Sequence, residues 1–160
     1  MNTCAEPDCV SLALLDNPTS LIYGIGNAGR QDDGLGWAFI DRLEQIRPQP
    51  RAHLRRTYQL SLEDADLISR FSRVLFVDAT KDPAVKSFTV SRPEPKLDFS
   101  FTSHAISVPA ILATTQQCFE TVPHAYLLAI RGYEWELQQG LTNAAEHNLS
   151  HSLGFLSRPQ

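Results

Sequence analysis

Apolar and polar positions along this chain fall into blocks that read as strands and helices in turn. Leu21-Ile22-Tyr23-Gly24-Ile25 is a short apolar run closed by glycines, the pattern of a buried strand. From Asp33 to Ile46 the apolar residues Leu35, Phe39, Leu43 and Ile46 recur every three or four positions, which sets them on one helical face. Arg47-Pro48-Gln49-Pro50 ends that helix, because proline disfavours helical geometry in the residue before it. His53 to Leu60 predicts a second strand. Ser61 is placed to cap a helix over Leu62 to Phe71, with Glu63 and Asp64 in the first turn, where acids are favoured. Val74-Leu75-Phe76-Val77 is the clearest buried strand, and it ends on Asp78. Lys86 to Ser91 predicts a further strand, and Pro93 and Pro95 a loop. Val108, Ile111, Leu112, Thr115 and Phe119 form a helical stripe, Tyr126 to Ile130 another strand, and Leu141, Ala145, Leu149 and Leu153 a closing helix.

Strands that alternate with helices call for an α/β fold, a mostly parallel sheet with helices on both faces. Residues 1–19 precede the first strand and read as an N-terminal extension, which leaves residues 20–156 as a single domain. A chain of 160 residues suits one core.

Composition narrows the function classes. With 42% hydrophobic and 20% charged residues the chain is an ordinary globular protein rather than a disordered one. A formal charge of −4 offers no general attraction for nucleic acid or anionic lipid, so neither is expected as a partner. No apolar run approaches the ~20 residues that cross a bilayer. Val10 to Leu15 is the most apolar early stretch, and it follows Glu6 and Asp8 where a secretory leader carries Lys or Arg. A cytoplasmic location is therefore expected. Cys4, Cys9 and Cys118 do not make a disulfide framework and are read as free thiols.

Gly24-Ile25-Gly26-Asn27-Ala28-Gly29 matches G-x-G-x-x-G and follows a strand, as a dinucleotide-binding turn does. Its surroundings argue otherwise. Asp32 and Asp33 stand where a pyrophosphate would rest, and the second strand ends in Tyr58-Gln59-Leu60 with no acid for a ribose hydroxyl. A tight strand-to-helix turn is the preferred reading.

Asp33, Asp78 and His104 are the candidate site. Asp33 follows the first strand, Asp78 ends the third, and His104 sits in the loop before the helix near Val108. In an open α/β sheet functional groups gather beyond the carboxyl ends of strands. Two carboxylates and an imidazole can bind a first-row divalent metal such as nickel, zinc, cobalt or manganese, with positions left open. Each residue also has an ordinary role available: Asp33 in a favourable first helical turn, Asp78 capping a turn, His104 as a surface loop residue.

The motifs together resemble the hydrogenase maturation endopeptidases. Gly24 through Gly36 is similar to the family's N-terminal signature, Phe76-Val77-Asp78-Ala79 to its second motif, and Thr102-Ser103-His104 to its third. Arg131-Gly132-Tyr133-Glu134 with Gly140-Leu141-Thr142 resembles its C-terminal pattern. The likeness spans roughly Leu21 to Leu153, with the motifs in the family's order. Ala105 stands where many relatives have a second histidine. The resemblance implies a three-layer sandwich with a twisted sheet of about five strands. It also implies an endopeptidase that removes the C-terminal extension of a nickel–iron hydrogenase large-subunit precursor after nickel insertion. Asp33, Asp78 and His104 then take the places of the nickel-contacting residues, the nickel coming with the precursor, and the chain is expected to act as a monomer.

What the sequence lacks fits this reading. It has no H-E-x-x-H zinc motif and no G-x-S-x-G elbow, and Cys118 falls in a helical stripe, which suggests packing rather than attack. Two other functions remain open on sequence: a metal-sensing hydrogenase assembly protein that does not cut, and a nucleotide-binding module built on the glycine turn.

Overall fold

The computed structural model describes residues 10–97 and 106–159. Its strands are β1 (Ser20–Ile25), β2 (His53–Thr57), β3 (Arg73–Thr80), β4 (Phe88–Ser91) and β5 (His124–Arg131). Its helices are α1 (Leu12–Leu15), α2 (Leu35–Ile46), α3 (Asp64–Ser69), α4 (Val108–Phe119) and α5 (Asn143–Leu156), with a 3-10 turn at Gln31–Gly34 before α2. The strands form one sheet in the order β2-β1-β3-β5-β4, with β2, β1, β3 and β5 parallel and β4 antiparallel to β5 at the edge.

The apolar strands are buried on both faces, which explains their near-continuous hydrophobic runs. Alternate residues point to opposite sides of the sheet. Ile22, Leu75, Val77, Leu128 and Ile130 meet Leu35, Phe39, Ile40 and Leu43 of α2 and Leu149, Leu153 and Leu156 of α5. Leu21, Tyr23, Val74 and Phe76 meet Ala65 and Ile68 of α3 and Ile111 and Leu112 of α4. The result is the three-layer α/β arrangement expected from the alternating elements. No helix among the described residues is long and apolar enough to cross a membrane.

Several local details differ from the sequence reading. The segment before Ser20, read as an extension, places Val10, Leu12 and Leu15 in the core cluster on the α2 side. A four-residue helix is too short to show a periodic pattern. Ser61 does not cap α3 with its side chain. Instead its amide donates to Asp64 Oδ2 at 2.8 Å, and the helix begins at Asp64. Asp64 also accepts a hydrogen bond from the Tyr23 hydroxyl, which ties α3 to the sheet. Cys118 and Phe119, at the end of α4, are exposed rather than packed in the core. His104 and Ala105, and Cys4 and Cys9, lie outside the described residues.

Candidate functional site

Close backbone packing builds the site. A Cβ on Gly36, at the start of α2, would collide with the carbonyl oxygens of Ile25 at the end of β1 and Val77 in β3. Only glycine lets the helix start rest on both strands at once. The residue after Val77 is Asp78, and Asp33 lies in the 3-10 turn that feeds α2. The turn itself depends on Gly26, whose φ of +142° opens the chain so that the Asn27 amide reaches the Asp33 carbonyl at 3.0 Å.

Asp33 and Asp78 are thus neighbours on the rim at the carboxyl ends of β1 and β3. Asp78 is still inside β3, which continues to Thr80, rather than at its end. Burial pushes the Asp78 carboxyl up from its ordinary 3.8 to about 7. The Ala79 amide, donating to Oδ1 at 2.8 Å, pulls it down, and the charge of Asp33 pushes it up again. The two carboxylates repel through their charges, and a divalent cation held between two such groups would relieve that repulsion. Among the described residues no group of three or more His, Cys, Asp or Glu side chains converges, so any third ligand must come from elsewhere.

Asp32, beside Asp33, does different work. Its side chain is completely buried, and its carboxylate accepts the amides of Tyr133 (2.7 Å), Glu134 (3.1 Å) and Thr142 (2.8 Å), and the Thr142 hydroxyl (2.9 Å). Gln31 adds to the same junction: its side-chain oxygen accepts the Glu136 amide, and its own amide donates to the Gln138 carbonyl. The turn carrying Asp33 is therefore fastened to the β5–α5 loop. In the sequence Asp32 reads only as a charge hostile to a pyrophosphate. Its partners lie about a hundred residues away, which no local pattern reveals. Thr142 had a local signal, as an N-cap whose hydroxyl accepts the Ala145 amide at 3.2 Å.

Most amides of the glycine turn are already engaged within the protein. The amides of Gly26, Asn27, Gly29, Arg30, Gln31, Asp32 and Asp33 donate to Thr57, Asp33, Asn27, Asn27, Gln138, Glu134 and Arg30 respectively. A phosphate-binding turn instead presents such amides to its ligand. Beside the turn lies a groove of about 540 Å³ lined by Asn27, Gly29, Trp37, Tyr58, Gln139 and Gly140. Trp37 and Tyr58 pack at 5.0 Å between ring centres, and the Trp37 ring N–H donates to the Thr57 carbonyl.

Solved structures share this fold. The nickel–iron hydrogenase maturation protease HycI of Thermococcus kodakarensis superposes with a TM-score of 0.67 at 18% identity, over 87% of this chain and 92% of that one. The hydrogenase maturating endopeptidase HybD of E. coli gives 0.67 at 21% identity, over 84% and 87%. A hydrogenase 2 maturation peptidase from a Thaumarchaeota archaeon gives 0.62 at 18%, over 86% and 94%. The chain has the fold of the hydrogenase maturation proteases. No protein-family profile matches the sequence, and no curated protein sequence matches it either. At this identity the likeness to the maturation proteases is one of architecture.

Proposed function

We propose that this chain is a hydrogenase maturation endopeptidase. In this reading it cleaves the C-terminal extension from the nickel-loaded precursor of a nickel–iron hydrogenase large subunit, with the substrate's own nickel as the feature recognised. The observation that carries the proposal is the pairing of Asp33 and Asp78 on the strand-end rim, in a fold shared with proteases of that name. His104 is proposed as the third contact.

The chemistry follows from the donor set. Carboxylate oxygens and an imidazole nitrogen bind nickel without outmatching a thiolate-rich site. They are therefore suited to completing the coordination of an ion the precursor already holds, not to extracting it. Asp33 and Asp78 would hold the substrate's metal-bearing end in place, and the groove beside Trp37 and Tyr58 has room for an extended segment of the precursor. The proposed setting is the cytoplasm, with the chain acting as a monomer.

A non-cutting assembly protein would keep the same contacts. Processing distinguishes the two: incubation with the loaded precursor should yield a large subunit of lower mass. Asp33→Asn, Asp78→Asn and His104→Ala should each cripple that conversion while the variant stays folded. Normal processing by all three variants would remove the proposed site.

A further inference from the structure

Two histidines of α5, His147 and His151, stand one helical turn apart and take no part in the rim described above. Residues four apart lie on the same face of a helix. Both are exposed, with ring centres 6.5 Å apart and ring planes inclined by 39°. His151 is held in place: its Nδ1 lies 2.9 Å from the Ser87 hydroxyl, and its ring meets that of Phe88 edge-on at 5.1 Å. The other polar neighbours on this helix are engaged elsewhere. Glu146 pairs with Arg42 at 2.8 Å, and the Asn148 amide donates to the Arg131 carbonyl and the Tyr133 hydroxyl.

We propose that His147 and His151 form a surface site for a borderline divalent transition-metal ion (Cu²⁺, Ni²⁺ or Zn²⁺), with Ser87 orienting the His151 ring. Neutral imidazole suits these ions. A metal on Nε2 of His151 requires the tautomer with its proton on Nδ1, and the Ser87 oxygen is placed to accept that proton. This is the outer-sphere hydrogen bond that metal-bound histidines ordinarily make. Two rings sharing one ion at nitrogen–metal distances of ~2.0–2.1 Å have centres about 5–6 Å apart. The pair therefore needs only a small inward swing of His147, whose ring makes no hydrogen bond among the described residues. With two protein ligands the ion keeps open positions for water or for a donor from another molecule. The site is independent of the proteolytic reading.

The test titrates the full-length chain with Cu²⁺, Ni²⁺ and Zn²⁺ separately, in an Asp33→Asn/Asp78→Asn background that silences the rim pair. One equivalent should bind, most tightly for Cu²⁺. His147→Ala or His151→Ala should each abolish that equivalent. Ser87→Ala should keep the stoichiometry and weaken binding by roughly 10–100-fold. Substoichiometric Cu²⁺ should broaden the ring-proton signals of His147 and His151 before those of other histidines. Circular dichroism checks that the exposed substitutions leave the fold intact. Unchanged binding in the His147→Ala/His151→Ala double variant, or no bound metal at all, would overturn the site. Unchanged affinity in Ser87→Ala would overturn the orienting role.

Discussion

Thr142 donates both its backbone amide and its hydroxyl to the buried carboxylate of Asp32, joining the start of α5 to the turn before α2 across 110 residues. Asp32→Ala strands the amides of Tyr133, Glu134 and Thr142 without an acceptor. Hydrogen bonds to a charged group contribute about 1.5–3 kcal/mol each, so this variant should lose about 3 kcal/mol or more in urea unfolding. Thr142→Val keeps the amide bond but loses the hydroxyl as donor to Asp32 and as cap to Ala145. Its loss should be about 1–2 kcal/mol, and Thr142→Ser should restore most of it.

Gly36 makes a sharper claim about packing. Its missing Cβ is what lets α2 rest on the Ile25 and Val77 carbonyls, and backbone atoms cannot step aside. Gly36→Ala should cost at least the ~1–3 kcal/mol of an overpacked core and shift Asp33 away from Asp78. Gly140→Ala is the contrast. Its φ of +102° strains an alanine, but no atom lies within 4 Å of the new methyl group. The loss there should stay near ~1–2 kcal/mol. Paired thermal melts of the two variants make the comparison.

Asp78 gives a pH signature. Its carboxyl, ordinarily at 3.8, sits at about 7 in the folded protein, chiefly through burial and further through the charge of Asp33. A carboxyl that holds its proton more tightly when folded contributes stability that is fully present below about pH 4. That contribution is lost as pH rises through about 7. Asp78→Asn has no proton to lose, so its stability relative to the native chain should grow from pH 4 to 7 and then level off. The gain at pH 8 should be on the order of 4 kcal/mol. Processing should move the opposite way, because a protonated Asp78 is a poor metal ligand: native activity should fall as pH drops below about 7. Melts and processing rates across pH 4–8 read both trends, and a stability gap that stays flat would contradict the burial of this carboxyl.

The glycine turn should not bind NAD or NADP. Most of its amides already donate within the protein, and Asp33 stands beside it. Calorimetric titration is expected to give no saturable heat, and micromolar binding would reopen the nucleotide reading.

Much of the architecture is legible in the sequence because its signals are local. The runs Leu21–Ile25 and Val74–Val77 are apolar at every second position on both faces of the sheet, which only a central strand allows. The antiparallel edge placement of β4 is not legible, since four residues carry no sign of direction or neighbour. Asp33 and Asp78 stand out because each follows or interrupts an apolar strand. Their partnership depends on Gly36 bridging β1 and β3, a contact visible only in three dimensions. Asp32 reads locally as one more acid, and its structural role emerges only from amides of the β5–α5 loop.

The central claim is that the substrate's nickel is what this chain recognises. The most direct measurement mixes chelator-treated protein with nickel-loaded and nickel-free large-subunit precursor in parallel, with free metal removed, and follows loss of the C-terminal extension by mass. The account predicts cleavage of the loaded precursor and an intact empty one. Equal cleavage of both would contradict it, even if Asp33, Asp78 and His104 still proved essential.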